Sequence, residues 1–133
     1  ALIVAAMRGV PVDLLLPASG DQPFVAAAAR SYYPELLAAG VHIFELSEPV
    51  LHSKTLLVDD IAIIGTANMD NRSFRLNFEV AAVMYDQRVA AQLADAFAAD
   101  VAKSVRLDEA TLNADPLRRR LLAAVARLFS PML

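Results

Sequence analysis

His52–Glu79, HSKTLLVDDIAIIGTANMDNRSFRLNFE, decides how the chain is read, because it joins two short apolar runs to a concentration of polar groups. Thr55–Val58 and Ile61–Gly65 are β-rich runs meeting at Asp59-Asp60, a hairpin signal weaker than Asn-Gly or Asp-Gly. His52 and Lys54 stand two residues apart just before the first run. If the strand begins at His52, alternation puts both side chains on one face, roughly 6–7 Å apart. An imidazole beside an ammonium, both facing a cleft, makes a phosphate site: the cation neutralises phosphoryl oxygens, and the histidine attacks phosphorus or moves a proton. Thr66 and Asn68 follow the second run with a hydroxyl and an amide. Glu79 sits in a third apolar run, where a buried carboxylate requires a partner.

Outward from this stretch, apolar spacing and punctuation residues predict the rest. Ala1–Arg8 reads as a helix stopped at Gly9. Val10–Leu16 is a β-rich run ended by Pro17, expected as a strand buried on both faces. Pro17–Asp21 is a loop by composition. Phe24–Ala39 is helical and closes at Gly40, with Pro34 breaking or kinking it after Tyr33. Val41–Leu46 is a further strand, so the order β-α-β favours a parallel pair. Ser47–Leu51 is a loop that delivers His52. Beyond the hairpin, Thr66–Leu76 is a polar stretch long enough for a functional loop. Asn77–Tyr85 is expected as a strand and Gln87–Val105 as a helix. Asp115-Pro116 opens a last helix as cap and first-turn proline. The fold class is α/β, a sandwich with a mixed β-sheet flanked by helices, in one domain over 1–133.

Composition narrows the function classes. A chain of 133 residues is one domain large enough for a real core. Hydrophobic residues reach 57%, above the ordinary range, with much of the excess alanine and leucine. No apolar run reaches the roughly 18–20 residues that span a bilayer. The opening ALIVAAMRG lacks the basic start of a signal peptide. Without cysteine there are no disulfides or thiolate metal sites, which fits a reducing compartment. Two histidines and no cysteine form no metal-ligand cluster, so neither metal nor other cofactor is expected. The net charge of −3 argues against a dedicated nucleic-acid binder.

His52-x-Lys54-x-x-x-x-Asp59, then Gly65-Thr66-x-Asn68 and Asn77-x-Glu79, resembles the HKD motif and trailing elements of the phospholipase D superfamily. ARSYYPELLAAGV (Ala29–Val41), ANMDNRSFRLNFEV (Ala67–Val80) and RLFSPML (Arg127–Leu133) are similar to the C-terminal catalytic domain of bacterial cardiolipin synthases. The likeness runs over nearly the whole chain. It implies a phosphatidyl transfer between two phosphatidylglycerol molecules, giving cardiolipin and glycerol through a phosphohistidine, with this chain supplying one of two half-sites. An initial Ala inside a helix agrees with an excised domain, the C-terminal half of a longer enzyme. The partners implied are a missing N-terminal HKD half or a second copy, the lipid substrate and a membrane surface. The implied location is the bacterial inner membrane, peripheral on the cytoplasmic side through the full-length protein, with this fragment soluble by itself. Hydrolysis of a phosphodiester and a homodimeric single-HKD nuclease are the alternatives. A non-catalytic domain that kept the fold is favoured only where His52 or Lys54 is absent.

The resemblance assigns roles residue by residue. His52 protonates the leaving alcohol and deprotonates the incoming one. Lys54 and Asn68 hold non-bridging oxygens as charge builds in the transition state. Glu79 accepts from the second ring nitrogen of His52 and fixes its tautomer. Thr66 stands where the family usually has serine and keeps the hydroxyl. Asp59, at the hairpin end, reads as a structural acceptor pinning the turn. Arg72, Ser73 and Arg75 either meet anionic headgroups or form ordinary loop contacts. Tyr32 and Tyr33 are expected in aromatic packing, and His42 in a structural role. Arg118–Arg120 begin an amphipathic helix running to Leu128, Phe129, Met132 and Leu133, either a solvated face or one suited to an anionic membrane.

Overall fold

Gly9 and Gly40 mark the first two stops in the chain, both with left-handed backbone (φ +85 and +91) that other residues rarely adopt. The first closes helix α1 (Leu2–Met7) and the second closes α3 (Tyr33–Ala38). Between them lie strand β1 (Asp13–Pro17) and helix α2 (Pro23–Arg30); β2 (His42–Leu46) follows. The computed structural model describes residues 1–19, 23–48 and 51–129. Gly20 and Asp21 of the first expected loop, Pro49 and Val50 of the loop before His52, and Ser130–Leu133 lie outside the described residues. The break between α2 and α3 falls at Ser31-Tyr32, and Pro34 occupies the first turn of α3. A proline lacks the N–H that a first turn leaves unpaired anyway, so it starts the second helix rather than kinking the first.

The β-α-β expectation holds: β1 and β2 are parallel, with Leu14 opposite Ile43 and Leu16 opposite Glu45. Their apolar face meets α1 and α3 in a core of Tyr33, Val41, Ile43 and Leu107, joined by Leu14, Leu16, Leu36 and Leu37. Strand β1 is half-buried along its middle and exposed at both ends, not buried on both faces.

The hairpin is as expected, β3 (Thr55–Val58) antiparallel to β4 (Ile61–Gly65). Asp59 turns the chain with φ +50, a conformation that aspartate tolerates. The carboxylate that accepts a bond here is that of Asp60, from Gln87 Nε2 at 2.9 Å; Asp59 contributes backbone shape.

Three expectations change. The polar loop contains a short helix, α4 (Asn71–Arg75), capped by Asp70, whose side chain accepts from Ser73 N. The third strand, β5, covers only Ala81–Met84. Upstream of it the ladder cannot continue, because Asn77 N bonds Arg72 O at 2.8 Å and Val80 N bonds the Thr66 hydroxyl at 3.0 Å. The long helix α5 (Gln87–Val101) ends early, and Val105–Leu107 form strand β6, antiparallel to β2. Helix α6 (Glu109–Asn113) follows, with Asp108 accepting from both Thr111 N and its hydroxyl. Helix α7 (Leu117–Phe129) ends the description.

The α/β class with helices flanking mixed strands is confirmed, but among the described residues the strands form two three-stranded ladders, β1-β2-β6 and β3-β4-β5. Both edges of β2 are filled, by β1 and β6. Helix α5 packs on β2, β3 and β4, so it bridges the two ladders. On the other side Arg30 of α2 ties Glu45 of β2 to Asp115 before α7. Asp115 therefore receives guanidinium groups from Arg30 and Arg119, beyond the capping expected from sequence. Among the described residues no helix is long and apolar enough to cross a membrane.

Candidate active site

The start of β3 and the end of β4 lie side by side and carry the site. Gly65 N donates to Lys54 O at 3.0 Å, so the pairing extends one residue beyond the regular ladder. His52 and Lys54 precede the strand, so their placement follows from this extension and not from strand alternation. A shallow open pocket of about 290 Å³ is lined by His52, Ser53, Lys54, Ile64, Gly65 and Thr66. The Lys54 ammonium folds back onto His52 O at 2.7 Å.

The residues just before the short β5 bond to Thr66, one of the lining residues. Thr66 N bonds Val80 O at 3.0 Å, and the Thr66 hydroxyl accepts from Val80 N and donates to Glu79 Oε2 at 2.5 Å. Asn77 Nδ2 reaches Glu79 Oε1 at a longer 3.3 Å. These bonds hold the Glu79 carboxyl below the usual glutamate range, Thr66 first and then Ser73, with Asn77 and the nearby Lys54 charge adding to the effect. Glu79 is thus a partnered carboxylate, bonded to Thr66 of the pocket lining, and not a buried one within a strand. Among the described residues no hydrogen bond joins Glu79 to His52.

Gly65 makes this closeness possible. A Cβ there would stand 2.7 Å from Val80 O and 3.1 Å from Ala81 Cβ, so only glycine lets β4 and β5 approach where the site forms.

Ser73 is the buried polar residue of the region, 7% exposed. It takes the Asn68 N–H on its hydroxyl at 3.1 Å, and its own N–H goes to Asp70. The structure therefore makes Ser73 a support for the Asn68 loop and for Glu79, which its place among candidate headgroup contacts had not conveyed. Its sequence signal was the Asp70 cap three residues before it. Asn68, Arg72 and Arg75 are exposed around the same loop. So is an apolar collar of Met69, Phe74, Leu76, Phe78 and Val80, each at least 60% exposed.

The family model for the PLD-like domain of cardiolipin synthase matches residues 1–101. The chain is 46% identical, over its whole length, to the cardiolipin synthase of Geobacillus sp. strain WCH70, and 47% identical to cardiolipin synthase 2 of Bacillus anthracis. It belongs to the cardiolipin synthase PLD-like domain family. The chain spans about a quarter of the length of these relatives, 27% and 26%. A phospholipase D family member, Nuc from Salmonella typhimurium, matches in fold with a TM-score of 0.66, over 80% of this chain and 70% of that one, at 18% identity. The α/β class thus has a solved counterpart in the phospholipase D family.

Away from the pocket, this PLD-like domain uses its other singled-out residues for packing. Tyr33 is buried in the core, where burial and then Glu45 push its phenol well above the usual range. Arg127 stacks over Tyr32 at 4.8 Å. His42 Nδ1 meets Asp13 Oδ1 at 2.7 Å across the parallel pair, a partnership that spacing could not reveal because 29 residues separate them.

Proposed function

We propose that this chain supplies one of the two half-sites of a cardiolipin synthase, as the C-terminal half of a longer two-domain enzyme. The observation that carries the reading is one pocket lined by His52, Lys54 and Thr66, with Glu79 bonded to that Thr66. The relatives' name supplies the substrate class. A histidine of the other half attacks phosphorus of a first phosphatidylglycerol, and His52 gives its proton to the departing glycerol oxygen. The phosphatidyl group then rests on the partner nitrogen. A hydroxyl of a second phosphatidylglycerol loses its proton to His52 and attacks phosphorus, the N–P bond breaks, and cardiolipin leaves.

Lys54 meets phosphate by leaving a carbonyl for a charged oxygen, a stronger acceptor. Asn68, on the loop held by Ser73, adds a neutral donor to the same oxygens. Arg72 and Arg75 face the headgroups. Glu79 Oε1 takes a long bond from Asn77, and a carboxylate oxygen has more than one acceptor direction, so it can also accept from the second ring nitrogen of His52. The exposed collar from Met69 to Val80 is an apolar surface of the kind that marks an interface, and the missing half covers it. The whole enzyme acts at the cytoplasmic face of the bacterial inner membrane.

Double displacement needs a nucleophile and a separate acid/base, so one histidine is insufficient. Light scattering and a phosphatidyl-transfer assay on the same sample test this. The purified chain is expected to be a silent monomer, and transfer should return with the N-terminal half and vanish with His52→Gln. Glu79→Gln should cut turnover of the complete enzyme while its unfolding curve stays put. A verified monomer that turns over, and stops doing so as His52→Ala, defeats the half-site reading.

A further inference from the structure

Helix α7 turns Ala123 and Ala126 inward and its leucines outward. It lies along α2, burying Ala126 completely and Ala123 in part. Its orientation is pinned: Arg127 reaches Glu35 at 2.6 Å and Ser31 O at 3.3 Å, and Arg119 pairs with Asp115 at 3.2 Å. A surface helix ordinarily points its apolar stripe at the core. Here Leu117, Leu121, Val125 and Leu128 are 80%, 64%, 43% and 78% exposed. At the helical repeat they fall within a sector of roughly 80° on the side away from Ala126. Arg118 and Arg120 flank that sector on either side, both exposed and, among the described residues, unpaired with any carboxylate. The helix itself, LRRRLLAAVARLF, contains no acidic residue.

We infer that the outer face of α7 docks this domain on an anionic phospholipid surface, with Leu117, Leu121, Val125 and Leu128 in the apolar boundary and Arg118 and Arg120 at the headgroups. A large aliphatic stripe edged by arginines is the composition of an interfacial helix. The positive edge also argues for the occupant. Two copies meeting through this face would set Arg118 and Arg120 of each against those of the other, whereas anionic headgroups neutralise them. The chain as a whole carries −3, so this face is a local reversal of sign and not a general basicity. The inference rests on the faces of α7 and needs no step of the phosphoryl chemistry. It adds to the proposed function a route by which a domain without a spanning helix among its described residues meets a lipid substrate.

The test uses the whole chain with vesicles of phosphatidylcholine alone or mixed with phosphatidylglycerol. Sedimentation should show binding to the mixed vesicles only, weakening as salt rises. Headgroup attraction of ~1 kcal/mol per arginine makes Arg118→Gln/Arg120→Gln bind about thirtyfold more weakly. Leu121→Trp adds a reporter to a chain that has no tryptophan, at an exposed position where folding is not at stake. Its emission should shift to the blue on the mixed vesicles. Equal binding to both vesicle types, undiminished binding by the arginine variant, or an unshifted Leu121→Trp overturns the inference. A blue shift on self-association without vesicles also overturns it, in favour of a second copy. His52→Gln should bind vesicles as the parent does; a matching loss would place adsorption at the pocket and sink the role of α7. Transfer between soluble short-chain phosphatidylglycerols by the complete enzyme needs no docking, so its outcome judges the half-site reading separately.

Discussion

Gly65→Ala tests whether the site depends on the close approach of β4 and β5. The added Cβ would stand 2.7 Å from Val80 O, and both atoms belong to or adjoin backbone that is already paired, so neither side yields cheaply. Ordinary contacts begin near 3.4 Å, which leaves about 0.7 Å to be absorbed by moving one strand. Overpacking of this kind costs about 1–3 kcal/mol. Alanine returns about 0.5–1 kcal/mol by restricting the unfolded chain, since Gly65 is not in the left-handed region. The net loss should therefore be about 1–2 kcal/mol. With a urea m-value of about 2 kcal/mol/M, the middle of the usual range, the unfolding midpoint should fall by roughly 0.5–1 M. Because Thr66 and Glu79 flank the displaced contact, amide exchange at Thr66 and Val80 should accelerate more than exchange in β1 and β2. A midpoint within 0.2 M of the parent, with protection at Thr66 and Val80 unchanged, would refute the argument.

The remaining predictions concern charge. Arg30 bridges Glu45 and Asp115 with all three side chains only 12–14% exposed, so Arg30→Met takes the cation from a poorly hydrated Glu45 and leaves Asp115 with Arg119 alone. A loss of about 3–5 kcal/mol in denaturant unfolding is expected, and one under about 1 kcal/mol would mean that the cluster is solvent-screened. Thr66→Val removes the leading cause of the lowered Glu79 pKa, so the carboxyl titration followed by NMR should move up toward the ordinary value. The stability contributed by a depressed carboxylate is present above its unfolded pKa and is lost as pH falls through the folded one. The variant should accordingly lose less stability than the parent as pH drops below the glutamate range. An unmoved titration would show that Thr66 does not hold Glu79.

Much of the architecture was legible because its causes are local. Gly9 and Gly40 stop helices through backbone freedom, Asp59-Asp60 turns a hairpin, and short apolar runs mark β3 and β4. The stretch His52–Glu79 placed the pocket for the same reason, since both of its strands lie within it. Errors arose where a local pattern was overruled by a distant bond. Asn77–Val80 reads as strand, yet the end of α4 and the Thr66 hydroxyl take its N–H groups. The helix expected to reach Val105 stops at Val101, and the open edge of β2 recruits Val105–Leu107.

The sequence by itself determined the family, the α/β class, the parallel β1–β2 pair and the neighbourhood of His52, Lys54 and Thr66. It could not determine what those residues touch. Only the tertiary structure assigned Glu79 to Thr66 and Asn77, moved Ser73 from the headgroups to a buried support, and turned the leucines of α7 outward. Periodicity shows that a helix has two faces, but which face is buried depends on the element packed against it. That partner, α2, lies some ninety residues away in the chain.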